Sequence, residues 1–129
     1  MVIDISQYRD LYIQTARDLV SAMQKHINHL STNANDKKTI YELYRAVHSL
    51  KSQSLMMGYT QLGLTNRLAE ALFKEIHEGK QTLSNEVLSL MTEVVSHMKN
   101  SLDQIQNKNQ EADLRDDIKK LQMYISLEK

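Results

Sequence analysis

The chain has 129 residues, of which sixteen are basic and sixteen acidic, so it carries no formal net charge at pH 7. A neutral chain has no general electrostatic attraction to nucleic acid or to an anionic membrane, and neither is an expected partner. The sequence contains no cysteine, no proline and only three glycines. These counts exclude disulfide scaffolds and cysteine-based zinc sites, and they leave too few turn residues for a β-barrel or β-sandwich.

Five amphipathic segments are predicted from apolar residues that recur every three or four positions. Short polar connections between them make sequential helices antiparallel. The predicted fold is therefore all-α: one domain over residues 1–129, built as an up-and-down antiparallel four-helix bundle with an additional C-terminal fifth helix. The predicted helices cover roughly residues 6–30, 36–57, 60–78, 84–107 and 112–126.

The first two helices are predicted to begin at N-cap residues, Ser6 and Asp36, whose side-chain oxygens can accept an orphan backbone N–H. Gly58 is expected to end the second helix, because glycine tolerates the left-handed conformation found after helix ends. The predicted core stripe of the first helix contains Tyr8, Leu11, Tyr12, Thr15, Leu19, Ala22, Met23, His26 and Leu30. That of the second contains Ile40, Leu43, Tyr44, Val47, Leu50, Ser54 and Met57.

The third helix is predicted to begin at the N-cap Thr60 and to stop at Gly79, and the fourth to begin at Ser84. The sequence gives no reason for Gly63 inside the third helix. The charged pairs of the fifth helix, residues 116–117 and 119–120, are expected to form a solvated face. The predicted inward residues of the third, fourth and fifth helices are Leu62, Thr65, Ala69, Leu72, Phe73 and Ile76; Val87, Leu88, Met91, Val94, Val95, Met98, Leu102 and Ile105; and Leu114, Ile118, Leu121, Met123 and Ile125.

Five histidines are the main candidates for chemistry. His26 and His29 could share a helix face in a metal-binding bundle, but the paired Glu-x-x-His motifs of such bundles are missing, so no metal is expected. His77 near a helix C-terminus and His97 at the edge of the core have structural explanations. His48 directly follows a core position, so it points out of the bundle without a packing reason.

Lys51 stands one helical turn after His48, and the small Ser52 follows it. An imidazole beside an ammonium and a small residue offers a nucleophile, a cation for phosphate and access for a partner. Spacing alone leaves a simple solvated histidine as the alternative. Residues 45–59 resemble the phosphotransfer signature of the histidine-containing phosphotransfer (HPt) family, which has a Lys three residues after a His, a small residue next to it and a Gly ten residues after the His. The matching residues are His48, Lys51, Ser52 and Gly58, followed by Leu62 and Glu70.

Nearly the whole chain is similar to the N-terminal phosphotransfer domains of CheA-type chemotaxis histidine kinases. The resemblance implies that His48 accepts a phosphoryl group from the ATP-binding domain of a histidine kinase and donates it to an aspartate of a response-regulator receiver domain. It assigns to Glu70 the orientation of the imidazole through Nδ1, and to Lys51 a contact with the phosphoryl group.

The resemblance further implies a phosphotransfer intermediate that is not itself an enzyme and holds no cofactor. ATP and Mg²⁺ belong to the partner kinase, and Mg²⁺ also belongs to the response regulator. The resemblance also implies a monomer. No apolar run approaches the roughly 18 residues of a membrane span, so no membrane is expected as a partner, and the expected location is the cytoplasm.

Two residues depart from the family pattern, and a third lies beside the site. Ser52 replaces the usual glycine where a partner approaches. Arg67 stands where CheA-type domains often carry a second histidine, and it could contact the phosphoryl group or pair with Glu70. Leu55, next to Met56, is either part of a docking patch or a boundary residue. The alternative function is an HPt-like docking module that binds a kinase or regulator without phosphotransfer.

Overall fold

The computed structural model describes residues 5–125, and within them it contains five helices and no strand. The helices are α1 (Ile5–Thr32), α2 (Lys37–Met56), α3 (Thr60–His77), α4 (Asn85–Lys108) and α5 (Arg115–Gln122). The prediction of an all-α fold with a fifth helix is confirmed. In the described part of the chain, no helix has the length and apolar character needed to cross a membrane.

The helices pack around one hydrophobic core to which all five contribute. α2 packs between α1 and α3, α4 packs against α1, and α5 lies mainly on α3. The large side chains that are almost completely buried are Met23, Leu30, Leu43, Leu50, Leu62, Leu72, Phe73, Met91, Met98, Leu102, Ile105 and Leu114. The α2–α3 pair presents its outer face to solvent, and the candidate site lies there.

Two of the four predicted N-caps are confirmed. Asp36 accepts a hydrogen bond from the backbone N–H of Thr39 at 3.3 Å, and Ser84 accepts one from Val87 at 3.1 Å. The prediction for Ser6 is wrong, because α1 already includes this residue. Two glycines end helices as predicted: Gly58 follows α2 with φ +83°, and Gly79 follows α3 with φ +77°.

The predicted N-cap Thr60 is wrong, since α3 begins at this residue and its own side chain does not cap it. A distant carboxylate does the capping instead. Glu111, in the connection between α4 and α5, accepts from the backbone N–H of Gln61 at 3.3 Å and of Leu62 at 2.9 Å. The Gln61 side chain in turn accepts from the backbone N–H of Leu114 at 2.6 Å, which fastens the connection to α3.

These bonds also explain why α5 begins at Arg115 and not near residue 112 as predicted. The N–H groups of Ala112 and Leu114 are bonded to the side chains of Ser101 and Gln61, which hold this segment against α4 and α3 before the helix begins. α5 also ends earlier than the predicted residue 126, at Gln122, and Met123, which was predicted to face the core, follows it and is exposed. Asp117 is buried, so the prediction that it belongs to a solvated face is wrong.

The inward residues predicted for α3 and α4 are all buried, but the stripe predicted for α1 is wrong in part. Tyr8 and Leu11 are exposed, and Thr15 and Leu19 are only half-buried. α1 carries two neighbouring apolar stripes, and packing against α2 and α4 selects between them. The face that is buried consists of Tyr12, Ile13, Ala16, Val20, Met23, Ile27 and Leu30.

Replacing Asp36 with asparagine is expected to leave the cap in place and to remove a charge that acts on stability. His29 Nε2 lies 2.7 Å from Asp36 Oδ2. The hydrogen bonds from His29 and Thr39 hold the pKa of Asp36 below its ordinary 3.8. The stability gained is therefore present above pH 3.8 and is lost as the pH falls through the lowered value. Thermal unfolding of both proteins between pH 6 and pH 3 should show a Tm advantage of the wild type that shrinks towards pH 3; a constant advantage would contradict the prediction.

Candidate functional site

His48 lies on the outer face of α2, and its Nδ1 is hydrogen-bonded to Oε2 of Glu70 on the neighbouring α3. The imidazole is 54% exposed, whereas the Glu70 side chain is only 15% exposed. Lys51 Nζ donates to the other oxygen of the same carboxylate, Oε1, at 2.8 Å. One half-buried carboxylate therefore holds both an imidazole and an ammonium.

This arrangement follows from the order of buried and exposed residues along α2 and α3. Val47 and Leu50 are completely buried, and they turn the intervening His48 outwards from α2. On α3, the buried Ala69 places the next residue, Glu70, at the edge of the core beside α2. The three-residue spacing puts His48 and Lys51 on one side of α2, both within reach of the carboxylate.

The two hydrogen-bond partners of Glu70 keep its carboxyl group ionised. Burial alone raises the pKa of this carboxyl, but the hydrogen bonds and positive charge of Lys51 and His48 outweigh burial and bring the pKa below its ordinary value. Because an ionised carboxylate can only accept, the proton of the hydrogen bond belongs to Nδ1 of His48. The lone pair of His48 is then on Nε2, which has no hydrogen-bond partner within residues 5–125. This is the form in which an imidazole acts as a nucleophile.

The sequence did not predict that Lys51 and His48 share one carboxylate. Lys51 was expected to face an incoming phosphoryl group, but here its ammonium pairs with Glu70 and its side chain is largely covered. Arg67 and Ser52 are both exposed. Of the two alternatives for Arg67, an ion pair with Glu70 is not formed among the described residues, where His48 and Lys51 hold the two oxygens.

Leu55 explains the glycine that the sequence left unexplained. A Cβ built on Gly63 would lie 2.3 Å from Cδ2 and 2.6 Å from Cγ of Leu55. Gly63 therefore lets the Leu55 side chain lie directly on α3. Leu55 is still 47% exposed, so it is both packed against α3 and presented to solvent beside the site.

A Gly63→Ala substitution is expected to have opposite effects on stability in two backgrounds. In the wild type the new methyl group must displace Leu55, which should lower the free energy of unfolding by about 1 kcal/mol. In a Leu55→Ala background the clash is gone, and the better helix propensity of alanine should raise that free energy by up to about 1 kcal/mol. Urea unfolding of the four proteins measures both effects, and the same sign in both backgrounds would contradict this account.

An apolar groove lies between the beginning of α1 and the end of α2. It is lined by Tyr8, Leu11, Tyr12, Met56 and Met57 among others, and three of these are exposed. Met56 follows Leu55, so the groove continues the apolar surface beside His48. Sequence reasoning missed the contribution of α1, because it assigned Tyr8 and Leu11 to the core.

The other histidines have separate partners. His26 lies 3.7 Å from Glu42 and His29 lies 2.7 Å from Asp36, so the two do not converge on one centre. Within residues 5–125 there is no group of three or more histidine, aspartate or glutamate side chains that could hold a metal ion. The ring of His77 packs on that of Tyr41, with centroids 5.2 Å apart. His97 contacts the buried Asp117, a pairing that the sequence did not suggest.

The sequence of this chain is similar to those of CheA chemotaxis proteins. CheA of Salmonella typhimurium is 28% identical over 110 residues, which make up 85% of this chain and 16% of that protein. CheA of Bacillus subtilis is 26% identical over 102 residues, or 79% of this chain and 15% of that protein. The chain thus spans about a sixth of the length of these curated relatives.

The fold is also similar to a solved structure, that of the phosphorylated P1 domain of CheA3 from R. sphaeroides in complex with CheY6. The TM-score is 0.83 at 16% sequence identity, and the match covers 91% of this chain and 94% of that one. The sequence profile of the Hpt domain matches residues 7–108, which include the three residues of the site. Since this match extends over most of the chain, the chain belongs to the Hpt domain family.

Proposed function

We propose that this chain is a histidine phosphotransfer domain of a chemotaxis-type two-component relay. His48 accepts a phosphoryl group from the ATP-binding domain of a histidine kinase and donates it to an aspartate of a response-regulator receiver domain. The observation that carries the proposal is the hydrogen bond from Nδ1 of an exposed histidine to the ionised Glu70, which leaves the Nε2 lone pair open to a partner.

In the first transfer, the Nε2 lone pair attacks the γ-phosphorus of ATP held by the kinase. The nitrogen–phosphorus bond forms as the bond to the bridging oxygen breaks, and that electron pair leaves with ADP. Nδ1 keeps its proton, so positive charge develops on the ring and is stabilised by the Glu70 carboxylate. In the second transfer, a carboxylate oxygen of the receiver attacks the phosphorus, and the bonding pair returns to Nε2.

Lys51 has a place in this cycle that fits its position. A phosphoryl group on Nε2 brings close to two negative charges to within reach of α2 and α3. The ammonium of Lys51, one turn from His48, can then exchange Glu70 for a phosphoryl oxygen by rotation of its flexible side chain. In the unphosphorylated protein the same ammonium keeps Glu70 ionised. Arg67, exposed three residues before Glu70 on α3, is a second candidate contact for the phosphoryl group.

The surface around His48 suits a protein partner. The relatives are CheA proteins, and the similar R. sphaeroides domain was solved with CheY6, which supports a receiver of the CheY type as the acceptor. Ser52, Leu55 and Met56 are exposed on the same part of α2 as His48 and would lie under such a partner. ATP and Mg²⁺ are supplied by the kinase and Mg²⁺ also by the receiver, and we expect the domain to act as a monomer in the cytoplasm.

The decisive experiment follows the phosphoryl group through both transfers. The protein is incubated with the kinase domain of a CheA-type protein that lacks its own phosphotransfer domain, together with ATP labelled at the γ-phosphate. Acid-labile label should appear on the chain and leave it when a CheY-type receiver is added. A receiver with its acceptor aspartate changed to asparagine is the control, and it should leave the label in place. Binding of kinase and receiver without any label would establish the docking module instead.

A further inference from the structure

Four of the five histidines contact a carboxylate, and they differ in which ring nitrogen makes the contact. His26 and His29 meet Glu42 and Asp36 through Nε2. The ring of His77 packs against an aromatic ring. His48 and His97 are the two histidines in residues 5–125 that have a carboxylate on Nδ1. The hydrogen bond at Nδ1 of His48 leaves its Nε2 free to act as a nucleophile. The Nε2 of His97 is a candidate nucleophile for the same reason.

The geometry at His97 is well defined. Its Nδ1 lies 2.9 Å from Oδ1 and 3.0 Å from Oδ2 of Asp117, so α4 and α5 are joined by a forked hydrogen bond. The Asp117 side chain is 6% exposed, and that of His97 is 46% exposed. A buried carboxylate meeting a half-exposed imidazole reproduces the contrast in exposure between Glu70 and His48.

The arrangement selects one form of the ring. A carboxylate accepts and does not donate, so Nδ1 of His97 carries the proton and Nε2 carries the lone pair. Nε2 has no hydrogen-bond partner in the described part of the chain. One turn along each helix, Lys120 of α5 lies 3.6 Å from Glu93 of α4, so this glutamate has a half-exposed ammonium as its partner.

We propose that His97 is a second phosphoacceptor, which takes a phosphoryl group at Nε2 from small nitrogen–phosphorus donors such as phosphoramidate. The Nε2 lone pair attacks phosphorus and forms a new nitrogen–phosphorus bond. The donor's nitrogen–phosphorus bond breaks, and its electron pair leaves with the donor nitrogen, which is already protonated in phosphoramidate and departs as ammonia. Nδ1 keeps its proton, and the negative charge of Asp117 balances the positive charge that develops on the ring.

His97 and His48 belong to different faces of the bundle. α2 packs on α1 and α3, whereas α4 packs on α1 and α5. A kinase or receiver bound at His48 therefore covers a surface of α2 and α3, whereas the surface around His97 is formed by α4 and α5. The two histidines can carry phosphoryl groups at the same time, and a donor small enough to need no docking surface can reach both.

The test uses the full chain with phosphoramidate and counts acid-labile phosphoryl groups by intact mass. The wild type should gain up to two groups, His48→Gln one, and the double variant His48→Gln/His97→Gln none. In the His48→Gln background, Asp117→Asn should slow uptake roughly ten-fold, because its amide oxygen can still accept from Nδ1 but the ring charge that develops on attack is no longer balanced. Tandem mass spectrometry of His48→Gln locates the group without any change near Asp117.

The matched control is His29→Gln in the His48→Gln background. His29 is exposed to a similar extent, but its Nε2 is bonded to Asp36, so its removal should leave uptake unchanged. Equal uptake by His48→Gln with and without His97, or a group located on another histidine, would overturn the proposal. Circular dichroism establishes that each variant is folded. Kinase-dependent labelling of His48 is a separate measurement, so failure here does not imply failure there.

Discussion

A His48→Gln variant is expected to take up no label from a CheA-type kinase domain and labelled ATP. Glutamine keeps a polar side chain of similar reach, but its amide nitrogen has no nucleophilic lone pair, so the nitrogen–phosphorus bond cannot form. His48 is more than half exposed and its neighbours Val47 and Leu50 carry the packing, so the bundle should remain intact. Phosphorylation is measured as acid-labile label after a fixed time.

The matched control for this variant is His97→Gln. It removes the other histidine that has a carboxylate on Nδ1, and it lies on α4, which packs mainly against α1. Kinase-dependent labelling should be the same as for the wild type. Equal labelling of wild type and His48→Gln would place the acceptor elsewhere and would remove the basis of the proposed function. Comparing the two variants shows whether the kinase labels His48 specifically or labels any histidine whose Nδ1 is bonded to a carboxylate.

How far the sequence predicts the fold depends on how many apolar stripes a helix carries. α3 and α4 have one stripe each, and every inward residue predicted for them is buried. α1 has two, and periodicity alone could not exclude Tyr8 and Leu11 from the core. The start of α5 was misplaced because the N–H of Leu114 is bonded to Gln61, more than fifty residues away in sequence. Contacts between distant segments leave no periodic signal.

The candidate site, too, could be predicted from the sequence only in part. Local spacing predicted that His48 and Lys51 share one face of α2, because helical geometry fixes which residues lie on the same side of a helix. The role of Glu70, on α3, came from the family resemblance. The hydrogen bond of Lys51 to Glu70 was not predicted, since it depends on the side-chain conformations of two packed helices. The pairing of His97 with Asp117 was missed for a related reason. The charged residues of α5 all looked solvent-facing until the position of α4 buried one of them.

Replacing Glu70 with alanine is expected to lower the phosphorylation rate of His48 roughly 10²-fold, the low end of what a positioned acid or base contributes. Two effects combine: Nδ1–H loses its acceptor, so the tautomer with a free Nε2 is no longer favoured, and the ring charge that develops on attack loses its counter-ion. The pKa of Glu70 lies below its ordinary value, so the carboxylate supplies both effects throughout the neutral range. The rate is measured with the kinase domain and labelled ATP.

Glu70→Gln separates the two effects. Its amide oxygen can still accept from Nδ1, so the tautomer is retained while the negative charge is lost, and the rate should fall between those of the wild type and Glu70→Ala. Nitrogen NMR of the imidazole reports the tautomer directly: the Nδ1–H form should dominate in the wild type and in Glu70→Gln, and decline in Glu70→Ala. A rate unchanged in Glu70→Ala despite a changed tautomer would show that orientation by Glu70 does not limit transfer. Lys51→Met is the companion variant, because it removes the second partner of the carboxylate and leaves the hydrogen bond to His48 in place.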